Sequence, residues 1–131
     1  MNQNSISVVK VRDILMVTMP SDPDDPTISA LQDKVLQSME QHEARGMVLD
    51  ISAVETLDSF FARTVSETAQ MVGLMGGRTI IAGMQPAVAV AATEIGLSLG
   101  RIETALNVDR ALDMISATLG ENGTHGQRTA E

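Results

Sequence analysis

The chain of 131 residues has no cysteine, no tryptophan and no tyrosine, and its two phenylalanines are Phe60 and Phe61. Without cysteine, disulfide staples and thiolate catalysis are excluded, and a reducing compartment is allowed. Without an aromatic surface, stacking on nucleobases has almost nothing to work with. Basic residues are scarce too: nine Lys and Arg stand against seventeen Asp and Glu, a formal net charge of −8. That sign opposes binding to nucleic acid or to an anionic membrane, and makes a basic protein the natural complement. No apolar run reaches the roughly 18 residues that a membrane span needs, and Met1 to Ser5 lack the basic start of a leader, so a cytoplasmic protein is expected. Of the two histidines, His42 falls on the polar side of a helix and His125 near the C-terminus. No Ser-His-Asp set, metal-ligand spacing or glycine-rich phosphate loop follows from such a pattern. Neither an enzyme nor a cofactor or metal protein is expected.

What is present is a chain that is 44% apolar, drawn from Val, Ile, Leu, Ala and Met, and long enough for one domain with a real core. Ser5 to Val11 and Ile14 to Met19 are β-branched runs around Arg12-Asp13, which predicts a hairpin. Pro20 to Pro26 holds three prolines and three aspartates and reads as a loop. Asp25 or Thr27 caps the next helix, whose inward residues are Ile28, Leu31, Val35 and Met39. Gly46 opens a strand ending at Asp50. A helix after Ser59 has the inward face Phe61, Val65, Thr68, Val72 and Met75, and stops at Gly76-Gly77. Arg78 to Ala82 is a strand, Val88 to Leu97 a small-residue helix able to approach the sheet closely, and Ile102 to Thr104 a weak edge strand. Asp109 caps a last helix with Ala111, Leu112, Ile115 and Leu119 inward. Strands alternating with helices predict a mostly parallel sheet. Residues 1–119 form the domain, and residues 120–131 are expected to be a flexible tail.

The chemistry concentrates between Val48 and Phe61. A short buried strand runs into a loop of about six residues, and Asp58-Ser59 stand directly before the amphipathic helix. Both residue types cap helices, so Ser59 taken alone reads first as a cap and second as a functional surface hydroxyl at a helix start. Unpaired N–H groups and the positive dipole end would favour a phosphate at that place, while Asp58 and Asp50 would repel it. Asp50, at a strand end, invites comparison with a phospho-accepting aspartate. That site also needs an acidic pair after the first strand and a late lysine, whereas the lysines here are Lys10 and Lys34. Asp50 is therefore read as a loop-ordering acceptor for backbone N–H groups near Ser52.

The segment Leu49-Asp50-Ile51-Ser52-Ala53-Val54, followed by Leu57-Asp58-Ser59-Phe60, resembles the STAS domain of anti-sigma-factor antagonists. That family carries the pattern D-[LIF]-S-x-V-x-x-[ILM]-D-S over strand, loop and helix start. Leu74 to Gly77, Gly83 to Val90 and Ile102 to Leu106 are similar to stressosome scaffold subunits of the RsbS type within the family. The resemblance implies an α/β, STAS-type single domain, with a mixed, mostly parallel sheet and four helices packed on it. It also implies a non-catalytic regulator that docks an RsbT-type serine kinase around Asp58, Ser59, Phe60 and Arg63 and is phosphorylated on Ser59. RsbR-type STAS co-scaffolds, an RsbX-type phosphatase and a homo-oligomer of two or more copies are the implied partners. Co-scaffolds carry a sensory N-terminal domain, and none precedes Ser5 here, which favours the RsbS role. A simple antagonist controlled through the same serine, without shell assembly, is the alternative.

Overall fold

The computed structural model describes residues 5–95 and 102–117. Strands β1 (Ser7–Val11), β2 (Ile14–Thr18), β3 (Gly46–Asp50), β4 (Arg78–Ala82) and β5 (Glu103–Ala105) lie in that spatial order. β1 pairs antiparallel with β2, and the remaining pairs are parallel. Helices α1 (Asp25–His42), α2 (Ser59–Leu74) and α3 (Pro86–Ile95) connect the parallel strands. Residues 108–117 form α4. The sheet grows in one direction, one strand per crossover. Right-handed crossovers then place α1, α2 and α3 on a single face and leave the other face to α4.

The core divides accordingly. Leu15, Val17, Met47, Leu49 and Ile81 pack beneath Ile28, Leu31, Val35 and Met39 of α1, Phe61, Val65 and Val72 of α2, and Val88 of α3. On the opposite face Ile14, Val48 and Ile80 meet Ala111 and Ile115 of α4. β3 is buried on both faces, which explains why it reads as an unbroken apolar run and not as an alternating one.

Several local expectations shift by a residue or two. Asp24 caps α1, accepting from Thr27 N at 2.9 Å, where Asp25 or Thr27 was expected. Hydrogen bonds from Thr27 hold the Asp24 carboxyl below its ordinary pKa. Asn107 caps α4 through the Arg110 N–H at 2.8 Å, in place of Asp109. Aspartate, asparagine and threonine all offer a suitable oxygen, so local sequence does not rank them. Met75 is 46% exposed instead of facing inward, because α2 has already ended. Gly76 N bonds Gly73 O and Gly77 N bonds Val72 O, a Schellman closure with Gly76 at φ +89°. Ala111 and Ile115 are buried and Leu112 is half-buried as expected. Leu97, Leu119 and the tail lie outside the described residues.

Arg78 fastens the end of the sheet. Its guanidinium grips Glu103 of β5 with two bonds, one of them Nη2 to Oε2 at 2.6 Å, and donates from Nη1 to Met114 O of α4 at 3.2 Å. The bonds from Arg78 hold the Glu103 carboxyl below the usual carboxylate range. A depressed native pKa contributes stability above the unfolded value and loses it as pH falls through the native one. Glu103→Gln is therefore expected to lower the melting temperature slightly at pH 7, by a gap that narrows at pH 3. An equal gap between the two proteins at both pH values would contradict this role.

Candidate functional site

β3 delivers its loop at the C-terminal end of the sheet, where open parallel sheets bind their partners. Past the strand, Ile51 N still bonds Ala82 O and Met19 N bonds Asp50 O, each at 3.0 Å. The loop therefore leaves from a fixed origin. The Asp50 carboxylate accepts the Ser52 N–H at 2.9 Å, and Val54 N closes a turn onto Ile51 O at 3.0 Å. Val54 is fully buried and anchors the middle of the loop.

A second brace arrives from the β4–α3 turn. Gln85 Nε2 donates to Ser52 O at 2.8 Å across 33 residues of sequence. Gly83 has φ +78°, and a Cβ placed on it would stand 2.8 Å from the Ser52 Cβ. Only glycine allows the two loops to approach this closely. Sequence reasoning saw Gly83-Met84-Gln85 as a turn and missed what it touches, since nothing local marks a contact so distant in sequence.

The loop ends at a cap. The Asp58 carboxylate accepts the Phe61 N–H at 2.8 Å, and its carbonyl accepts the Ala62 N–H at 3.0 Å. Asp58 is the capping residue, and Ser59 is the first residue of α2. Its hydroxyl is therefore not taken up by the cap role, and the side chain is exposed. Phe60 is half-buried against the core, Phe61 is buried, and Arg63 is exposed one turn beyond Ser59. The structure thus brings Asp58, Ser59 and Arg63 to one surface, with Phe60 seating the helix beneath them. Buried Thr64 and Thr68 donate back to Phe60 O and Thr64 O at 2.9 and 2.7 Å, so that face of α2 packs without an orphaned hydroxyl. Asp58→Ala is expected to lower stability by about 1 kcal/mol, the ordinary worth of a cap. Urea unfolding checks it, and an unchanged midpoint would deny the cap its role.

Acidic residues crowd this end, with Arg63 among them. Asp22, Asp24 and Asp25 border α1, and Asp50, Glu55 and Asp58 border the β3–α2 loop. An open depression of about 470 Å³, lined by Asp50, Ser52, Gly83, Asn107 and Asp109 among others, lies beside the loop. Among the described residues no group of His, Cys, Asp and Glu could hold a metal ion, and no helix is long and apolar enough to cross a membrane. The geometry offers a presented hydroxyl on a braced loop.

The family model of the STAS domain matches residues 5–111. The chain belongs to the STAS family. Among solved structures, a serine-to-glutamate variant of RsbS from Moorella thermoacetica is 31% identical, with a TM-score of 0.78 over 87% of this chain and 97% of that one. A subunit in a structure of the stressosome, described as a signal integration and transduction hub, is 32% identical at a TM-score of 0.77, covering 86% of this chain and 98% of the other. The RsbT co-antagonist protein RsbRA of Bacillus subtilis is 23% identical over 74 residues, which are 56% of this STAS chain and 27% of RsbRA. The chain spans between 27% and 40% of the length of the curated relatives it matches. This STAS domain is thus of the kind found in stressosome and anti-sigma-factor antagonist proteins, which are regulatory.

Proposed function

We propose that this STAS domain is a non-catalytic scaffold of a stressosome-type complex. It holds an RsbT-type serine kinase on the surface around Asp58, Ser59, Phe60 and Arg63, and releases that kinase once Ser59 is phosphorylated. The observation that carries the reading is Ser59 itself: exposed, first in α2, relieved of capping by Asp58, and set on a loop braced by Asp50 and Gln85. The acidic rim suits a basic docking face and steers it by charge. The kinase supplies ATP and the catalytic base. Its γ-phosphoryl passes to the Ser59 Oγ, ADP leaves, and the hydroxyl proton goes to that base. The phosphate adds nearly two negative charges at a helix start that tolerates them, so the fold persists while the docking surface changes. An RsbR-type STAS protein as co-scaffold, and an RsbX-type phosphatase to reset Ser59, complete the cycle.

The kinase should co-elute with the chain in the absence of ATP and separate from it after ATP is added. A complex that survives ATP while Ser59 becomes phosphorylated would overturn the release step. Mixing with an RsbR-type partner distinguishes a shell, seen as a large particle, from a simple antagonist that stays in a small complex.

A further inference from the structure

The open depression of about 470 Å³ beside the β3–α2 loop is lined by two unlike kinds of group. Leu106 and Val108 are apolar, and Leu106 stands 80% exposed just past the end of β5. Asp50 and Asp109 bring carboxylates to the same hollow. Its parts are fixed in place. Asp50 accepts the Ser52 N–H at 2.9 Å, Gly83 N donates to Ala105 O at 3.1 Å, and the Asn107 side chain accepts the Arg110 N–H at 2.8 Å. Among the described residues no lysine or arginine lines the depression, and neither carboxylate has a cationic partner. Two uncompensated carboxylates and a large exposed apolar side chain thus share one braced, open hollow.

We infer that this depression receives an arginine side chain of the docking kinase. The lining selects that chemistry by exclusion and by fit. A phosphate or other anion would be repelled by Asp50 and Asp109. A bare divalent cation takes roughly six or more oxygen ligands, and no group of acidic or histidine side chains among the described residues could hold one. A purely apolar side chain would bury the carboxylates without a partner, which is costly. An arginine suits both kinds of lining, its methylene stem lying along Leu106 and Val108 while its guanidinium donates to the carboxylates. Lysine carries a compact, strongly hydrated charge without the planar fork, and suits the hollow less. Asp50 also orders the loop that ends at Ser59, so a side chain seated here would hold the kinase in register on the presented hydroxyl. The partner's identity rests on the kinase-docking proposal, whereas the chemistry of a cation on an apolar stem rests on the depression alone.

Two titrations test this. In the first, an RsbT-type kinase is titrated into wild type, Leu106→Ser, Asp109→Asn and the double variant, beside Asp113→Asn and Leu74→Ser. Asp113 is exposed on α4 outside the depression, and Leu74 is 88% exposed at the end of α2, so these two control for charge and apolar exposure in general. Leu106→Ser and Asp109→Asn should each raise the dissociation constant at least tenfold, and the double variant little further, because both groups hold one side chain. The controls should bind within about threefold of wild type, and every variant should melt within a few degrees of it. In the second, N-acetyl-arginine amide at roughly millimolar concentration should shift the amide resonances of Ser52, Gly83, Leu106 and Asn107. The neutral N-acetyl-citrulline amide should not, and Asp109→Asn should abolish the shift. Equal kinase affinity across all variants overturns the inference and leaves docking around Ser59 standing. An arginine probe that shifts none of these amides, or a citrulline probe that shifts them equally, overturns it too. A kinase that fails to bind wild type overturns the docking proposal and with it the arginine's assignment to that partner, while the arginine probe still decides the chemistry of the depression.

Discussion

Gly83→Val is expected to lower stability by roughly 2–4 kcal/mol, combining left-handed strain at φ +78° with overpacking against Ser52. The atoms that the new Cβ would meet are the Ser52 Cβ at 2.8 Å, Cα at 3.3 Å and N at 3.4 Å, which belong to backbone or sit next to it. No flexible side-chain end can yield there. The braced loop must move, which takes Ser52 O away from Gln85 and loosens the connection to Ser59. For a chain of this size the melting temperature should fall by on the order of 10 °C. Gly73→Ala is the matched control, because a Cβ at that helical position meets nothing within 4 Å. It should be neutral or stabilising by up to about 1 kcal/mol. If Gly83→Val melted with the wild type, the packing of the β4–α3 turn on the loop would be refuted.

The second large effect concerns binding. Ser59→Asp should melt within a few degrees of wild type, since an exposed carboxylate at the first position of α2 lies at the favourable end of the helix dipole. Its affinity for the serine kinase should fall at least tenfold, which is about 1.4 kcal/mol. The hydroxyl of an acceptor serine docks facing the kinase's ATP, and a carboxylate there meets phosphate with no counter-charge and must shed its water. Ser59→Ala presents no charge and should bind as wild type does. Equal affinities for all three proteins would remove the electrostatic basis of release.

Much of this was legible from local pattern. The hairpin, the buried β3 run and the inward residues of α1 followed from periods of two and 3.6 residues, which local sequence states directly. The helix start at Asp58-Ser59 was legible too, but the division of labour between the two was not. Both side chains can cap, and backbone geometry chose Asp58, which left Ser59 exposed. The same ambiguity moved the caps of α1 and α4 to Asp24 and Asn107. The Gln85–Ser52 bond and the fit of Gly83 depend on two loops meeting, a property of the folded sheet and not of either segment. The small residues of α3 suggested a helix pressed close to the sheet. In the fold only Val88 and Ala92 are buried, because one helix face can meet the core and the other must turn outward.

Intact mass after incubation with an RsbT-type kinase and ATP tests the proposed phosphorylation of Ser59 most directly. Wild type should gain one phosphate, about 80 Da, and Ser59→Ala none, at the same melting temperature. A phosphate on Ser59→Ala, or none on wild type with a kinase active on another STAS substrate, would contradict it and return Ser59 to an ordinary helix start.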